Sequence, residues 1–450
     1  PYVYNKDLDC TEKEEIALQL HHGKIEGTTD CLTLDIYTKE NAKDLPVFVF
    51  LHGGNNQTGS SYGEITGELL IDKVNCVVVC INHRLGFLGC NALPSIAKET
   101  GNFTMLDIQL ALQWVQQYIP IFGGNPSNVA LTGFSAGGRN VMATLTSKLF
   151  TGLYHKAIPF SGGMTLTDLN TAAKKHAEMM SPLVMEDQNF AKEEAIHYLL
   201  QASEEVRDYL FNITDERLTQ LNVGAGIRMA KFPHLFKDDV VFPTTGFNTF
   251  VNDVPILLLT GTTEFSFFGM KDPYFNTLEE PVRCQAINFM NKYGSDFYRI
   301  FNGQLSAQIL KERNYTSSAY PIPLLGSFHG IFVPMLNPNS SMTKAYDFNQ
   351  PSYTTMTDLF LASLKSFLYT GNPNWPEWNL TTKHTAIFDA KEDKGFMAIQ
   401  NTYTTNQEII KAIENDPLDE TIKKVILQTI LNGRWFSDDL DNYFNTPSLW

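Results

Sequence analysis

A six-residue segment, Gly133-Phe134-Ser135-Ala136-Gly137-Gly138, restricts the fold of this chain more than any other feature. An apolar run at 129–132 before it indicates a buried strand, and the pattern at 139–145 after it indicates a helix. A strand that turns sharply into a helix through Gly-x-Ser-x-Gly exposes the serine hydroxyl at a strained bend, because the small residues let the backbone pass close by. The segment predicts a nucleophile elbow; the simpler alternative is that Ser135 only caps the helix.

Other apolar runs predict a sheet that is buried on both faces. They lie at residues 46–51, 76–81, 157–163 and 254–260. Continuous apolar runs are typical of parallel strands that helices cover on both sides. A helical pattern at 106–118, with Leu106, Leu110 and Trp114 on one side, is the clearest segment between two of them. Strands alternating with helices predict an α/β fold with a mostly parallel central sheet.

No linker, low-complexity tract or internal repeat divides the 450 residues, so the sequence predicts one domain over 1–450. Two largely helical segments, about 165–245 and 270–325, are expected to form cap-like excursions above the carboxyl ends of the strands. A hairpin near residues 386–399 and a last helix near 422–431 are expected to close the chain.

Composition excludes several classes of function. The formal net charge is −15, which argues against binding to nucleic acid or to an anionic membrane. No apolar run reaches transmembrane length, and no His/Cys spacing is typical of zinc, so we expect neither a membrane span nor a cofactor. Cys76, Cys80 and Cys90 are expected to be buried thiols. Pairing of Cys10 with Cys31 is a less favoured alternative.

A serine hydroxyl needs a base to take its proton. In enzymes whose serine lies on a nucleophile elbow, the catalytic residues follow one another in the chain as Ser, acid and His. His329 and His384 are the two histidines that lie well beyond the elbow and after a plausible acid strand. Glycines flank His329 at 326 and 330, which would let an imidazole reach over the end of a sheet. His384 lies in a polar run, where a surface position is expected. The sequence favours His329 as the base.

The acid is expected at the end of a strand after the first helical excursion. Glu264 is the first carboxylate after the apolar run 256–260, and apolar and small residues surround it. A carboxylate there must be paired, because unpaired burial is costly. Asp272, in a polar turn, is the alternative. The sequence favours Glu264.

Ester hydrolysis develops an oxyanion that preorganised N–H groups stabilise. Ala136, directly after Ser135, is expected to supply one N–H group. The Gly-rich loop after the strand at 46–51 is expected to supply the others, from Gly54 and Asn55. His52 is expected to pack beside this loop, and the alternative for residues 52–54 is an ordinary turn.

With these motifs the chain resembles the type-B carboxylesterase/cholinesterase family of α/β-hydrolases, most closely the bacterial para-nitrobenzyl-type carboxylesterases. The likeness runs from about Thr29 to Trp435. The segments that carry it are residues 30–35, 52–54, 84–86, 106–116, 122–129, 261–265, the His329 loop and 370–376. This resemblance implies an α/β-hydrolase fold and a carboxylic-ester hydrolase that uses Ser135, Glu264 and His329.

Several positions depart from the family pattern. Phe134 stands where the family usually has Glu, and Asn55 stands where its oxyanion loop has a third Gly. The choline-binding Trp of the cholinesterase branch has no counterpart in residues 10–31, which argues against choline esters. Only thirty residues precede Cys31, so we expect the usual N-terminal segment to be absent or the sheet edge to be rebuilt.

The leading hypothesis is a serine carboxylesterase that hydrolyses small to medium carboxylic esters through a Ser135 acyl-enzyme. The alternative from another class is a non-catalytic esterase-like binding or adhesion module, which an eroded triad would favour. A peptidase or thioesterase with the same three residues is a weaker third hypothesis. The presence of Ser135, Glu264 and His329 together favours the esterase.

Overall fold

A computed structural model describes residues 9–11, 16–223, 228, 231–313, 319–324, 329–340, 349–401 and 404–448, with backbone only at 267, 268 and 319–324. Its strands, in chain order, are β1 (Gln19–His21), β2 (Lys24–Glu26), β3 (Leu34–Tyr37), β4 (Leu45–Leu51), β5 (Val77–Ile81), β6 (Gly124–Phe134), β7 (Lys156–Phe160), β8 (Thr167–Asp168), β9 (Phe236–Lys237), β10 (Ile256–Gly261), β11 (Ala319–Leu324), β12 (Thr385–Lys391) and β13 (Lys394–Gln400).

In the described part of the chain, nine strands form one sheet in the order β13-β12-β11-β10-β7-β6-β4-β5-β3. The seven inner strands, from β12 to β5, run parallel to one another. The two edge strands, β3 and β13, are antiparallel to their neighbours. The predicted mostly parallel sheet is therefore confirmed. The hairpin predicted near residues 386–399 is also confirmed, as β12 and β13.

Helices lie in the connections between strands of the sheet, as the alternating pattern predicted. In chain order they are α1 (Glu68–Lys73), α2 (Gly86–Gly89), α3 (Phe103–Tyr118), α4 (Ala136–Thr144), α5 (Leu169–Gln188), α6 (Lys192–Leu199), α7 (Glu204–Phe211), α8 (Asp215–Gln220), α9 (Ser266–Gly269), α10 (Val282–Phe289), α11 (Ser295–Ile300), α12 (Ser306–Glu312), α13 (Phe332–Leu336), α14 (Pro351–Thr370), α15 (Asn406–Glu414), α16 (Glu420–Val425) and α17 (Asp438–Phe444). Short π-helical segments at Met290–Gly294 and Phe301–Leu305 join α10, α11 and α12.

Two apolar layers enclose the sheet because the side chains of each strand alternate between its faces. Phe48 and Phe50 of β4 lie on one face, where they share a core with α14. Val49 lies on the other face, in a second core that also contains Ile108 of α3. Both faces of β4 are thus buried from Pro46 to Leu51, as its continuous apolar sequence predicts. Separate clusters pack α5–α8 and join α10–α11 to α15–α17.

One strand of the central sheet was not predicted. The segment 270–325 was expected to be a largely helical excursion, but its last residues, 319–324, form β11 between β10 and β12. Pro321 and Pro323 explain the error, because proline lacks the N–H group that a ladder needs and is usually excluded from inner strands. Helix α17 also lies beyond the last helix that the sequence predicted.

None of the six cysteines forms a disulfide, so the alternative pairing of Cys10 with Cys31 is not present. Cys76, Cys80 and Cys90 are buried, as predicted. Among the described residues, no helix is both long and apolar enough to cross a bilayer.

Helix α14 offers a matched test of the sheet-covering layer. Leu364 is fully buried, whereas Leu359 on the same helix is 39% exposed. We expect Leu364→Ala to lower the free energy of unfolding by about 2–5 kcal/mol, because it leaves a cavity against β4. We expect Leu359→Ala to change it by about 0.5 kcal/mol or less. Denaturant unfolding followed by circular dichroism measures both; equal losses would contradict the assigned burial.

Candidate active site

The predicted site residues follow neighbouring strands at one edge of the sheet. Ser135 comes directly after β6, Glu264 comes shortly after β10, and His329 comes after β11. The loop with Gly54 and Asn55 follows β4. These strands are parallel and lie in the order β11-β10-β7-β6-β4, so their carboxyl ends meet at the same edge. In α/β sheets this is the edge where ligands bind.

Ser135 has a strained backbone, with φ 54° and ψ −112°. A non-glycine residue in such a conformation is uncommon and typical of functional sites. Two glycines make the bend possible: a Cβ on Gly133 would lie 2.4 Å from the backbone of Gly137, and a Cβ on Gly137 would lie 2.2 Å from the carbonyl oxygen of Leu51. The Ser135 side chain makes no capping hydrogen bond to α4, which removes the simpler explanation of this serine.

The Glu264 carboxylate is completely buried, and four donors surround it. Its Oε1 accepts hydrogen bonds from Ser161 Oγ at 2.7 Å, from Thr260 Oγ1 at 2.9 Å and from the Gly261 N–H at 2.6 Å. Its Oε2 lies 2.5 Å from His329 Nδ1. These bonds compensate the burial of an ionised carboxylate, as predicted from its apolar surroundings.

The ring of His329 is held by Glu264 through Nδ1, and its side chain is 14% exposed. A carboxylate only accepts hydrogen bonds, so Nδ1 carries a proton that it donates to Glu264. The ring of Phe134, the residue before Ser135, has its centroid 4.7 Å from the imidazole, and Tyr298 meets it edge-on at 5.8 Å. The predicted flank of this loop, residues 326–328, lies outside the described residues.

The loop after β4 exposes backbone donors. Gly54 has φ +93°, Asn55 has φ 57° and Asn56 has φ 52°, so the chain passes through three residues with positive φ in succession. Within the described part of the chain, the N–H groups of Gly54, Asn55 and Ala136 donate no hydrogen bond to the protein. Unused N–H groups at a strained loop and at the start of a helix are suited to bind an anion.

His52 packs beside this loop. Its ring is buried and stacked on His83 at a centroid distance of 4.6 Å, and its Nδ1 lies 2.8 Å from the Gly53 carbonyl oxygen. Burial and the neighbouring His83 lower the pKa of His52 to about 3. Burial likewise lowers the pKa of His83 to about 4. Both imidazoles are therefore neutral.

The two alternatives from the sequence lie elsewhere. Asp272 is buried, and Arg228 Nε and Nη2 donate to its carboxylate at 2.6 and 2.7 Å, so this acid is already paired. His384 precedes β12, and the start of a parallel strand lies at the sheet edge opposite the site. Topology thus separates His384 from Ser135. Among the described residues, no group of three His, Cys, Asp or Glu side chains is arranged to hold a metal ion.

The sequence did not predict Ser161 and Tyr298, the residues that support the Glu264 carboxylate. Ser161 follows β7 with φ 48°, and its hydroxyl bonds Glu264 from a position 103 residues away. Tyr298 Oη in turn donates to the Ser161 carbonyl oxygen at 2.9 Å. The signal for Ser161 was its place directly after an apolar strand, with two glycines following. Nothing in the sequence pattern marked Tyr298.

Comparison with known proteins now gives the family. The model of the carboxylesterase family matches residues 3–280, more than half of the chain. The chain belongs to the carboxylesterase family. This confirms the resemblance that the sequence motifs indicated.

Among relatives, rat (Rattus norvegicus) liver carboxylesterase B-1 is 39% identical over 181 residues, 38% of this chain and 31% of that protein. Human (Homo sapiens) cocaine esterase is 40% identical over 188 residues, 41% of this chain and 33% of that protein. The match thus spans about a third of the length of these relatives. A solved PNB esterase is similar over 91% of this chain and 90% of its own, with TM-score 0.70 and 21% identity. That likeness confirms the α/β-hydrolase fold.

The close approach of α4 to β4 gives a testable constraint. We expect Gly137→Ala to lower the free energy of unfolding by about 1–3 kcal/mol, because its Cβ would overlap the Leu51 carbonyl oxygen. The matched control is Gly303→Ala, whose nearest neighbour would be Thr260 Cγ2 at an ordinary 3.7 Å. Thermal unfolding of the two variants measures the difference. A Gly137→Ala protein as stable as the control would contradict the tight packing of the elbow.

Proposed function

We propose that the protein is a serine carboxylesterase that hydrolyses small to medium carboxylic esters through an acyl-enzyme on Ser135. The observation that carries the proposal is the buried Glu264 carboxylate bound to His329 Nδ1, at the sheet edge where the strained Ser135 elbow ends β6. Membership of the carboxylesterase family and the esterase names of the relatives support an ester as substrate.

In the proposed acylation step, His329 Nε2 takes the proton of Ser135 Oγ as the hydroxyl attacks the ester carbonyl carbon. Glu264 binds Nδ1, which selects the tautomer with an unprotonated Nε2, and it stabilises the imidazolium that forms. The carbonyl oxygen becomes an oxyanion, which the N–H groups of Gly54, Asn55 and Ala136 stabilise. The imidazolium then returns its proton to the departing alcohol oxygen, and the C–O ester bond breaks.

Deacylation repeats these roles with water. His329 takes a proton from the water, the resulting hydroxide attacks the acyl carbon, and the proton passes to Ser135 Oγ as the carboxylic acid leaves. Asn55 is part of the oxyanion loop at a left-handed backbone position, and its side chain is buried. A side chain at this position leaves less room than glycine, so we expect compact esters to be preferred.

We further propose that residues 1–450 act as one catalytic domain. Helices α5–α8 lie between β7 and β10 in the chain, and α9–α12 lie between β10 and β11. Both helical segments follow the carboxyl end of a strand that borders the site, which suits a cap over the substrate.

The first test uses para-nitrophenyl butyrate and a fluorophosphonate probe. We expect a burst of para-nitrophenol and a phosphonyl adduct on Ser135, because an activated serine attacks both reagents. We expect Ser135→Ala to form no adduct and to lose at least ~10⁴-fold in kcat. Exposed Ser127→Ala is the control and should behave as the wild type. A wild-type chain that forms no adduct would refute the esterase and favour a binding module.

The second test separates the acid from general folding effects. In Glu264→Gln the amide NH₂ can face His329 Nδ1 while the carbonyl keeps the three donors at Oε1, so we expect the fold to persist. That arrangement forces the wrong imidazole tautomer, and kcat should fall on the order of 10³–10⁴-fold. The control is Glu68→Gln on exposed α1. A Glu264→Gln enzyme with wild-type kcat would eliminate Glu264 as the acid.

A further inference from the structure

A second carboxyl lies next to the nucleophile and has no role in the steps above. Glu64 is in the segment between the loop after β4 and helix α1. Its Oε2 accepts a hydrogen bond from the Gly53 N–H at 3.0 Å. Within the described residues no donor bonds to its Oε1. Gly53 directly precedes Gly54, so Glu64 is attached to the peptide that leads into the oxyanion donors.

The position of Glu64 relative to Ser135 follows from the space around Gly53. A Cβ built on Gly53 would lie 2.9 Å from Glu64 Oε1, 3.0 Å from Phe134 Cδ1 and 3.3 Å from Ser135 Cβ. The carboxyl, the aromatic ring and the nucleophile's side chain therefore border one small space. The backbone of Glu64 is fixed as well, because Asn337 Nδ2 donates to its carbonyl oxygen at 2.9 Å.

Burial raises the pKa of Glu64 to about 8, against the smaller opposing effect of the Gly53 N–H. Other titratable groups pack near it. His52 is neutral, because burial lowers its pKa to about 3, and Cys80 is a neutral thiol, because burial raises its pKa. The carboxylates of Asp35 and Glu68 lie near Cys80. The ring of His329 lies against the ring of Phe134. A proton on Glu64 near neutral pH thus avoids another negative charge in this region.

We propose that the neutral carboxyl of Glu64 is a positioning group for the ester hydrolysis assigned to Ser135: it accepts the Gly53 N–H and so fixes the peptide that carries the oxyanion donors Gly54 and Asn55. The inference rests on the proposed function. A neutral carboxyl leaves the developing oxyanion undisturbed. Its ionised form places a negative charge beside the same donors and opposes the oxyanion.

The test is the pH dependence of kcat for para-nitrophenyl butyrate from pH 6 to 10, corrected for spontaneous hydrolysis. In the wild type we expect kcat to decline with a midpoint near pH 8. Glu64→Gln keeps a neutral acceptor for the Gly53 N–H, so it should retain kcat within about 3-fold at pH 6.5 and lose that decline. Glu64→Ala should lower kcat about 10-fold with KM little changed, because the loop loses its anchor. Glu68→Gln should keep the wild-type profile.

A stability measurement tests the proton without using activity. Between pH 4.5, the ordinary pKa of a glutamate, and about 8, folded wild type keeps a proton that the unfolded chain releases. Wild-type stability therefore falls as pH rises through this window, and Glu64→Gln lacks that fall. We expect the thermal midpoint of Glu64→Gln to exceed that of wild type by more at pH 9 than at pH 5.

The outcomes separate the two proposals. If the wild type is active and Glu64→Gln has the same pH profile, the role of Glu64 is overturned and the esterase proposal stands. The same holds if Glu64→Ala has the kcat of the wild type. A difference in thermal midpoint that does not change between pH 5 and pH 9 overturns the protonated state. A wild type without hydrolysis or phosphonyl adduct refutes the esterase and the positioning role together.

Discussion

A buried carboxylate, that of Glu264, sets the arrangement of the candidate site. An ionised carboxylate without solvent contact is stable only when its lone pairs are used, and here three donors occupy Oε1 while His329 occupies Oε2. Ser161 follows β7, whereas Thr260 and Gly261 end β10. The acid thereby joins two neighbouring strands to the segment after β11. Because Oε1 is already saturated, the imidazole has one acceptor to bind, and this fixes both its orientation and its tautomer.

Strain is concentrated at the same edge. Ser135, Asn55 and Ser161 all have positive φ without being glycine, and they follow β6, β4 and β7, which are adjacent in the sheet. Each such residue costs of order 1–3 kcal/mol and persists only where the surroundings determine it. The surroundings here are inner strands buried on both faces, so the rigid core supports a strained rim. That rim carries the Ser135 hydroxyl, the Asn55 N–H group and the Ser161 hydroxyl that donates to Glu264.

Much of this edge could be predicted from local sequence, because apolar strands, glycine-bounded turns and the order Ser, Glu, His are local or ordered signals. The sequence favoured Glu264 and His329 over Asp272 and His384, and parallel topology explains why His384 is excluded. Strand β11 was missed because its prolines contradict strand propensity, and only its neighbours in the sheet override that preference. Ser161 was missed for a different reason: its bond to Glu264 spans 103 residues, and periodicity carries no information about such a contact.

The residue before Ser135 departs from the family pattern, and a carboxyl from another segment lies beside it. Phe134 replaces the usual glutamate, and its ring packs on His329 and meets Phe332 edge-on at 5.3 Å. Phe134 therefore makes an apolar contact with His329, and this position supplies no carboxyl group. Glu64 brings a carboxyl to the same space from the segment after the oxyanion loop, and it is bonded to that loop through Gly53. Glu64 therefore borders Ser135 and is hydrogen-bonded to the loop that carries Gly54 and Asn55. Under the proposed mechanism, the charge beside Ser135 and the geometry of this loop would both depend on that one side chain.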